Sequence, residues 1–111
     1  MVSRITNLAS KLVPVIARIA AGIEVNKKKI EEIAGPGMSK IAINAMERVL
    51  PWIVTTKNGL LRCGLCNKGP FTKRGLYLHL IRVHGDEIRY MLEDEIERII
   101  KTLHIYGTWN I

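Results

Sequence analysis

The chain has 111 residues, 48% of them hydrophobic, and 17 Lys or Arg against 10 Asp or Glu, for a net charge of +7. That length suits one compact domain, and the excess of cations favours anionic partners. Two cysteines cannot build a disulfide framework, which excludes the disulfide-rich secreted class and points to a reducing, intracellular compartment, cytoplasm or nucleoid. The apolar stretch 8–23 is interrupted by Lys11, Pro14 and Arg18, so it falls short of the roughly 20 residues a bilayer crossing needs. It does not read as a cleavable signal peptide either, and no membrane partner is expected.

Taken in order, the chain first predicts a helix over 14–21, with a frayed turn before it. Pro14 fits a helix start, and Val15, Ile16, Ile19 and Ile23 recur at helical spacing. Asn26 reads as the N-cap of a second helix over 27–34, stopped by Gly35. Gly35-Pro36-Gly37 then breaks the chain. Ser39 is expected to cap a third helix over 40–50, whose Ile41, Ala42, Ala45, Met46, Val49 and Leu50 form one face, with Pro51 ending it. Region 1–51 is thus a packed helical unit, and its Ile and Met positions read as core rather than as a ligand pocket.

Residues 52–56 are rich in strand formers, Asn58-Gly59 is a hairpin signal, and 60–62 return directly into Cys63. Cys63 and Cys66 are followed after twelve residues by His79, and after four more by His84. The pattern C-x2-C-x12-H-x4-H is the ligand spacing of a tetrahedral zinc site. Gly64 lets the knuckle between the cysteines bend; a helix is expected over 72–83, and His79 and His84, one turn plus a residue apart, can leave the same helical face. A CxxC redox pair, or buried cysteines with unrelated histidines, are the alternatives; two histidines at ligand spacing favour zinc.

On these residues, segment 61–85 resembles the Cys2His2 zinc finger family. Leu61, two residues before the first cysteine, and Leu76, three before the first histidine, match its apolar positions, whereas Pro70 stands in its aromatic position and Phe71 follows one residue late. The resemblance implies a ββα unit, extended here by the strand upstream. It also implies one structural zinc on Cys63, Cys66, His79 and His84, and binding to DNA. The family reads bases from positions seven, four and one before the first histidine, here Thr72, Gly75 and Leu78. None can make the bidentate contact that Arg gives guanine or Asn gives adenine, so weak sequence discrimination is expected.

Beyond the finger, Gly85 is expected to break the chain and Asp86 to cap a last helix over 86–103. Ile88, Leu92, Ile96, Ile99 and Leu103 form its stripe, with favourable pairs Asp94–Arg98 and Glu97–Lys101. The tail 104–111, with Tyr106 and Trp109, is expected to fold back on the core.

The charge is unevenly spread. Segment 1–56 has eight basic and four acidic residues, 57–85 has six basic and none acidic, and 86–111 has three basic and six acidic. Lys57, Arg62, Lys68, Lys73, Arg74 and Arg82 are therefore the candidate phosphate contacts, with Thr72 and Leu78 beside them on the finger helix. The run Lys27–Lys29 reads as a solvated helix start.

The fold expected is mainly α with a small β-hairpin. It comprises a helical region 1–51, a hairpin and zinc finger 52–85, and an amphipathic C-terminal helix with tail 86–111, packed on the helical region or on a dimer partner. The function expected is a small DNA-binding transcriptional regulator with a structural zinc, DNA being favoured over RNA. One finger covers about three base pairs, so a homodimer through the helical regions is expected. A zinc-stapled adaptor using Tyr77, Leu78 and the last helix, or a ribonucleoprotein binder, are the alternatives. No catalysis and no small-molecule substrate are expected: a Cys2His2 site keeps no open position for water, and neither a nucleophile elbow nor a Gly-rich phosphate loop is present.

Overall fold

The computed structural model describes residues 3–105. Four helices and one hairpin follow in the order α1 (Arg4–Ala20), α2 (Lys27–Ala34), α3 (Ser39–Ile53), β1 (Val54–Lys57), β2 (Leu60–Cys63) and α4 (Lys73–Ile105). The expected fold-back of Tyr106 and Trp109 lies outside the described residues. None of the described helices is long and apolar enough to cross a membrane.

Helix α1 starts at Arg4 rather than at Pro14, because Ser3 caps it: its hydroxyl accepts the Thr6 N–H at 3.0 Å. Pro14 therefore lies inside the helix, at a cost of about 3 kcal/mol for the missing hydrogen bond and the ring clash. Leu12 and Ile16, on either side of it, are wholly buried. Burial of two such side chains contributes about 3–6 kcal/mol, so packing overrides the local preference.

Helix α2 keeps the expected bounds, with the Asn26 side chain accepting the Lys28 N–H. Helix α3 departs at both ends. Ser39 is its first helical residue rather than its cap, and Met38 caps it without a side-chain bond. Pro51 does not end it. The helix continues to Ile53, whose side chain is wholly buried and whose carbonyl accepts the Gly64 N–H at 3.0 Å. Trp52 and Ile53 thus belong to the helix and not to the strand predicted for them.

The hairpin pairs Val54 with Cys63 and Lys57 with Leu60. Asn58 and Gly59 have φ values of 54° and 76°, the signature of a two-residue type I′ turn.

The largest departure is α4. The sequence pattern separates a finger helix from a C-terminal helix at Gly85, but one helix of 33 residues runs through it. Gly85 costs only about 1 kcal/mol in a helix interior. The row Leu76, Leu80, His84, Ile88, Leu92, Ile96 and Ile99, spaced by four and finally three residues, continues across it, and every member is buried. That row packs along α1 and α3, and the buried residues of α1, α3 and α4 form one cluster that also includes Cys63. Arg18 of α1 lies over the Tyr77 ring of α4, 5.3 Å from its centroid. Residues from 1–51, 52–85 and 86–111 thus contribute to one core.

Candidate metal centre

Local chain chemistry builds the knuckle. The Cys63 N–H donates to the Lys68 carbonyl and the Asn67 N–H to the Cys63 carbonyl, both at 2.9 Å. Asn67 takes the left-handed turn position, at φ 66°, which Asn tolerates better than most side chains. Gly64 packs its backbone against the last turn of α3. A Cβ there would run into the Trp52 carbonyl oxygen and lie 3.1 Å from the Ile53 carbonyl carbon. A glycine is required at that close approach.

Opposite the knuckle, α4 presents its histidines. The donor atoms of Cys63, Cys66, His79 and His84 all lie within 4.8 Å of one another. Cys66 Sγ is 3.3 Å from His79 Nε2. The His79 and His84 rings meet edge to face, 5.0 Å between centroids. Cys63 and His84 are buried, while Cys66 lies on the exposed rim. The two-residue spacing of the cysteines and the two histidines on one helix are thus brought to one point, as their pattern predicts.

Electrostatics separates the two thiols. Burial pushes the Cys63 thiol up. Cys66 is drawn down to about 6, first by its interaction with His84 and then by a backbone hydrogen bond at Lys68. For His84, burial works against the charged form, but Glu87 and Cys66 carry its pKa above the ordinary value. Glu87 Oε1 is 2.8 Å from His84 Nδ1. The other ring nitrogen, Nε2, is buried without a hydrogen-bond partner. A buried polar atom left unpaired costs about 1–3 kcal/mol; in a cluster of soft and borderline donors, Nε2 is the atom that could bind a metal ion.

Two neighbours of the cluster carry no site signal in the sequence pattern. Phe71, one residue late for the family's aromatic position, stacks on His79 with 4.8 Å between centroids, and its N–H donates to the Leu61 carbonyl at 2.8 Å. Glu87 lies three residues past His84, a helical spacing whose significance depends on α4 continuing past Gly85.

The expected phosphate contacts fall into two groups. Lys57, Lys68, Arg74 and Arg82 are exposed, and none enters an ion pair among the described residues. Arg62 is half-buried and donates to the Asn67 and Gly69 carbonyls at 3.5 and 3.2 Å, clasping the knuckle. The exposed Lys73 side chain runs back beside Gly22, just beyond the end of α1. Thr72 caps α4, its hydroxyl accepting the Gly75 N–H at 3.0 Å. Leu78 is half-buried outside the core cluster. No known protein family, curated protein or solved structure matches the chain.

Proposed function

We propose that the chain is a zinc-stapled nucleic-acid-binding protein of the Cys2His2 type, DNA being its first ligand and the zinc purely structural. Tetrahedral zinc holds sulfur at about 2.3 Å and nitrogen at about 2.0 Å, which sets ligand-to-ligand edges of roughly 3.3–3.8 Å. The Cys66–His79 edge of 3.3 Å has that length already, and the widest separation, 4.8 Å, lies about 1 Å beyond it. Two thiolates also neutralise the ion's charge, which suits a half-buried site with no role in turnover. When bound, zinc supplies a crosslink between knuckle and helix; the chain's own residues make the contacts to the partner.

The observation that carries the nucleic-acid reading is the charge around the site. Lys57, Lys68, Arg74 and Arg82 are exposed and enter no ion pair among the described residues, and their segment, 57–85, has no acidic residue, Asp86 and Glu87 following just beyond it. Helix α4 also has no acidic residue in its first turn, so its positive dipole end and Arg74 act in the same direction. Thr72, committed to capping, and half-buried Leu78 leave little for base readout. The binding is therefore to the phosphate backbone, with weak sequence preference.

The test is a salt titration of the zinc-loaded protein against labelled duplex DNA, single strands and structured RNA. Each phosphate contact contributes about −0.9 to the slope of log K against log salt on a duplex. Arg74→Ala with Arg82→Ala should weaken duplex binding and flatten that slope by about 1.8. An unchanged slope, or no binding at any salt concentration, refutes the reading. The second reading, a zinc-stapled protein adaptor, is favoured by exposed Trp52, Leu60 and Val83; salt-insensitive failure on all three nucleic acids would select it.

A further inference from the structure

We propose that Glu87 is a positioning residue for the metal: its carboxylate fixes the tautomer and the aim of the His84 ring. The proposal rests on the zinc reading above and deepens it.

A neutral imidazole has one N–H and one lone pair. Glu87 Oε1 lies 2.8 Å from His84 Nδ1, so the ring's N–H is at Nδ1, donating to the carboxylate, and the lone pair is at Nε2. That nitrogen is the buried, unpartnered atom, in a ring whose donor atom lies within 4.8 Å of those of Cys63, Cys66 and His79. A carboxylate behind a metal-binding histidine orients the ring and strengthens its lone pair as a donor.

The arrangement depends on the continuity of α4. Glu87 is one turn beyond His84, on the far side of Gly85. Were the helix to end there, as the sequence suggests, the carboxylate would not be held beneath the ring. The Glu87 side chain is 59% exposed, so burial does not place it; the bond to His84 does. The part of α4 beyond the finger is thereby part of the metal site.

An ordinary surface ion pair on a helix is the competing account, and metal binding separates the two. The experiment titrates the full chain with Co(II) and displaces it with Zn(II), for the wild type, Glu87→Ala and Glu87→Gln. Asp94→Ala, which breaks the exposed Asp94–Arg98 pair on the same helix, is the control. Loss of such an outer carboxylate typically weakens metal binding 10–100-fold. Glu87→Ala should show that loss. Glu87→Gln should fall between, since its amide oxygen still accepts the Nδ1 proton without the charge. Asp94→Ala should bind as wild type. Nitrogen-detected NMR of the zinc form should show His84 protonated at Nδ1 in the wild type, with exchange broadening in Glu87→Ala.

Wild-type affinity and an unchanged His84 spectrum in Glu87→Ala would overturn the proposal while leaving the metal reading intact. A wild type that takes up neither ion would overturn both. A loss of affinity in Asp94→Ala as large as in Glu87→Ala would show a general helix effect and would also overturn it.

Discussion

Replacing Gly85 by Ala tests the continuity of α4, on which the architecture depends. If the chain broke at Gly85, as an isolated finger followed by a capped helix requires, the residue would sit near the left-handed region. There an added Cβ costs about 1–2 kcal/mol. In the structure Gly85 is not among the positive-φ glycines, and a Cβ built on it meets nothing within 4 Å. Alanine then recovers helix propensity, about 0.8–1.0 kcal/mol, with no packing penalty to set against it. A change of 1 kcal/mol moves the melting temperature of a domain of this size by about 4 °C. Gly85→Ala should therefore raise both the melting temperature and the urea midpoint of the zinc-loaded protein, with an unchanged denaturant slope. A fall of either midpoint would refute the continuous helix, and with it the unbroken row of buried residues from Leu76 to Ile99.

Gly64→Ala should act in the opposite direction. Its methyl would collide with the Trp52 carbonyl and push apart the Gly64–Ile53 hydrogen bond, a combined loss of about 2–4 kcal/mol. Thermal melts with saturating zinc check it, and a wild-type midpoint would show that the knuckle is not packed on α3. Metal uptake should strengthen as pH rises, because its ligands must lose protons. The Cys66 thiol, drawn down to about 6, is already ionised at neutral pH, whereas Cys63 and His84, both shifted upward, hold their protons longer. Zinc added at pH 7 in weak buffer should thus release about one to two protons, and affinity that does not change between pH 6 and 9 would refute this order of ionisation. The sign for the metal-free fold follows: the lowered Cys66 pKa stabilises it fully above the ordinary value of 9.0, and that contribution fades as pH falls through about 6.

The candidate metal cluster is legible in the sequence because its signal is chemical and local. Four soft and borderline donors at this spacing have little reason to converge except around a metal, and Asn58-Gly59 and Asn26 announce a turn and a cap by their own backbone preferences. The departures share one cause. Pro14, Pro51 and Gly85 each read as punctuation, and each lies inside a helix in the structure. Their local costs, about 1–3 kcal/mol, are smaller than what the buried side chains around them contribute, and that comparison needs the tertiary partners. One clue is present in the sequence: Leu76, Leu80, His84, Ile88 and Leu92 follow one another every four residues, so the candidate finger's apolar positions and the last helix's stripe can join as successive i, i+4 neighbours of a single helix. The surroundings of Arg62 are hidden in the sequence for a related reason. A charged residue next to a cysteine reads as a free cation until the loop carbonyls it clasps are placed.

The shared core changes what a bound metal would do for this chain. A lone finger depends on its ion for folding, since its few apolar residues cannot offset chain entropy. On that ground segment 61–85 alone is expected to be unfolded without zinc. Here Leu76 and Leu80 are wholly buried against a bundle that also holds Leu12, Ile16, Ile53 and Ile88, and α1 and α3 pack on the same helix that presents the histidines. The first turns of α4 thus have stabilising partners that do not depend on metal. The knuckle does not share that support equally. Cys63 is buried, but Gly64, Cys66, Asn67 and Lys68 are exposed, held by a few backbone bonds, the Arg62 clasp and the close approach at Gly64. A bound ion's contribution would therefore be concentrated where packing is thinnest: it would tie the hairpin to the start of α4, with the bundle as its base.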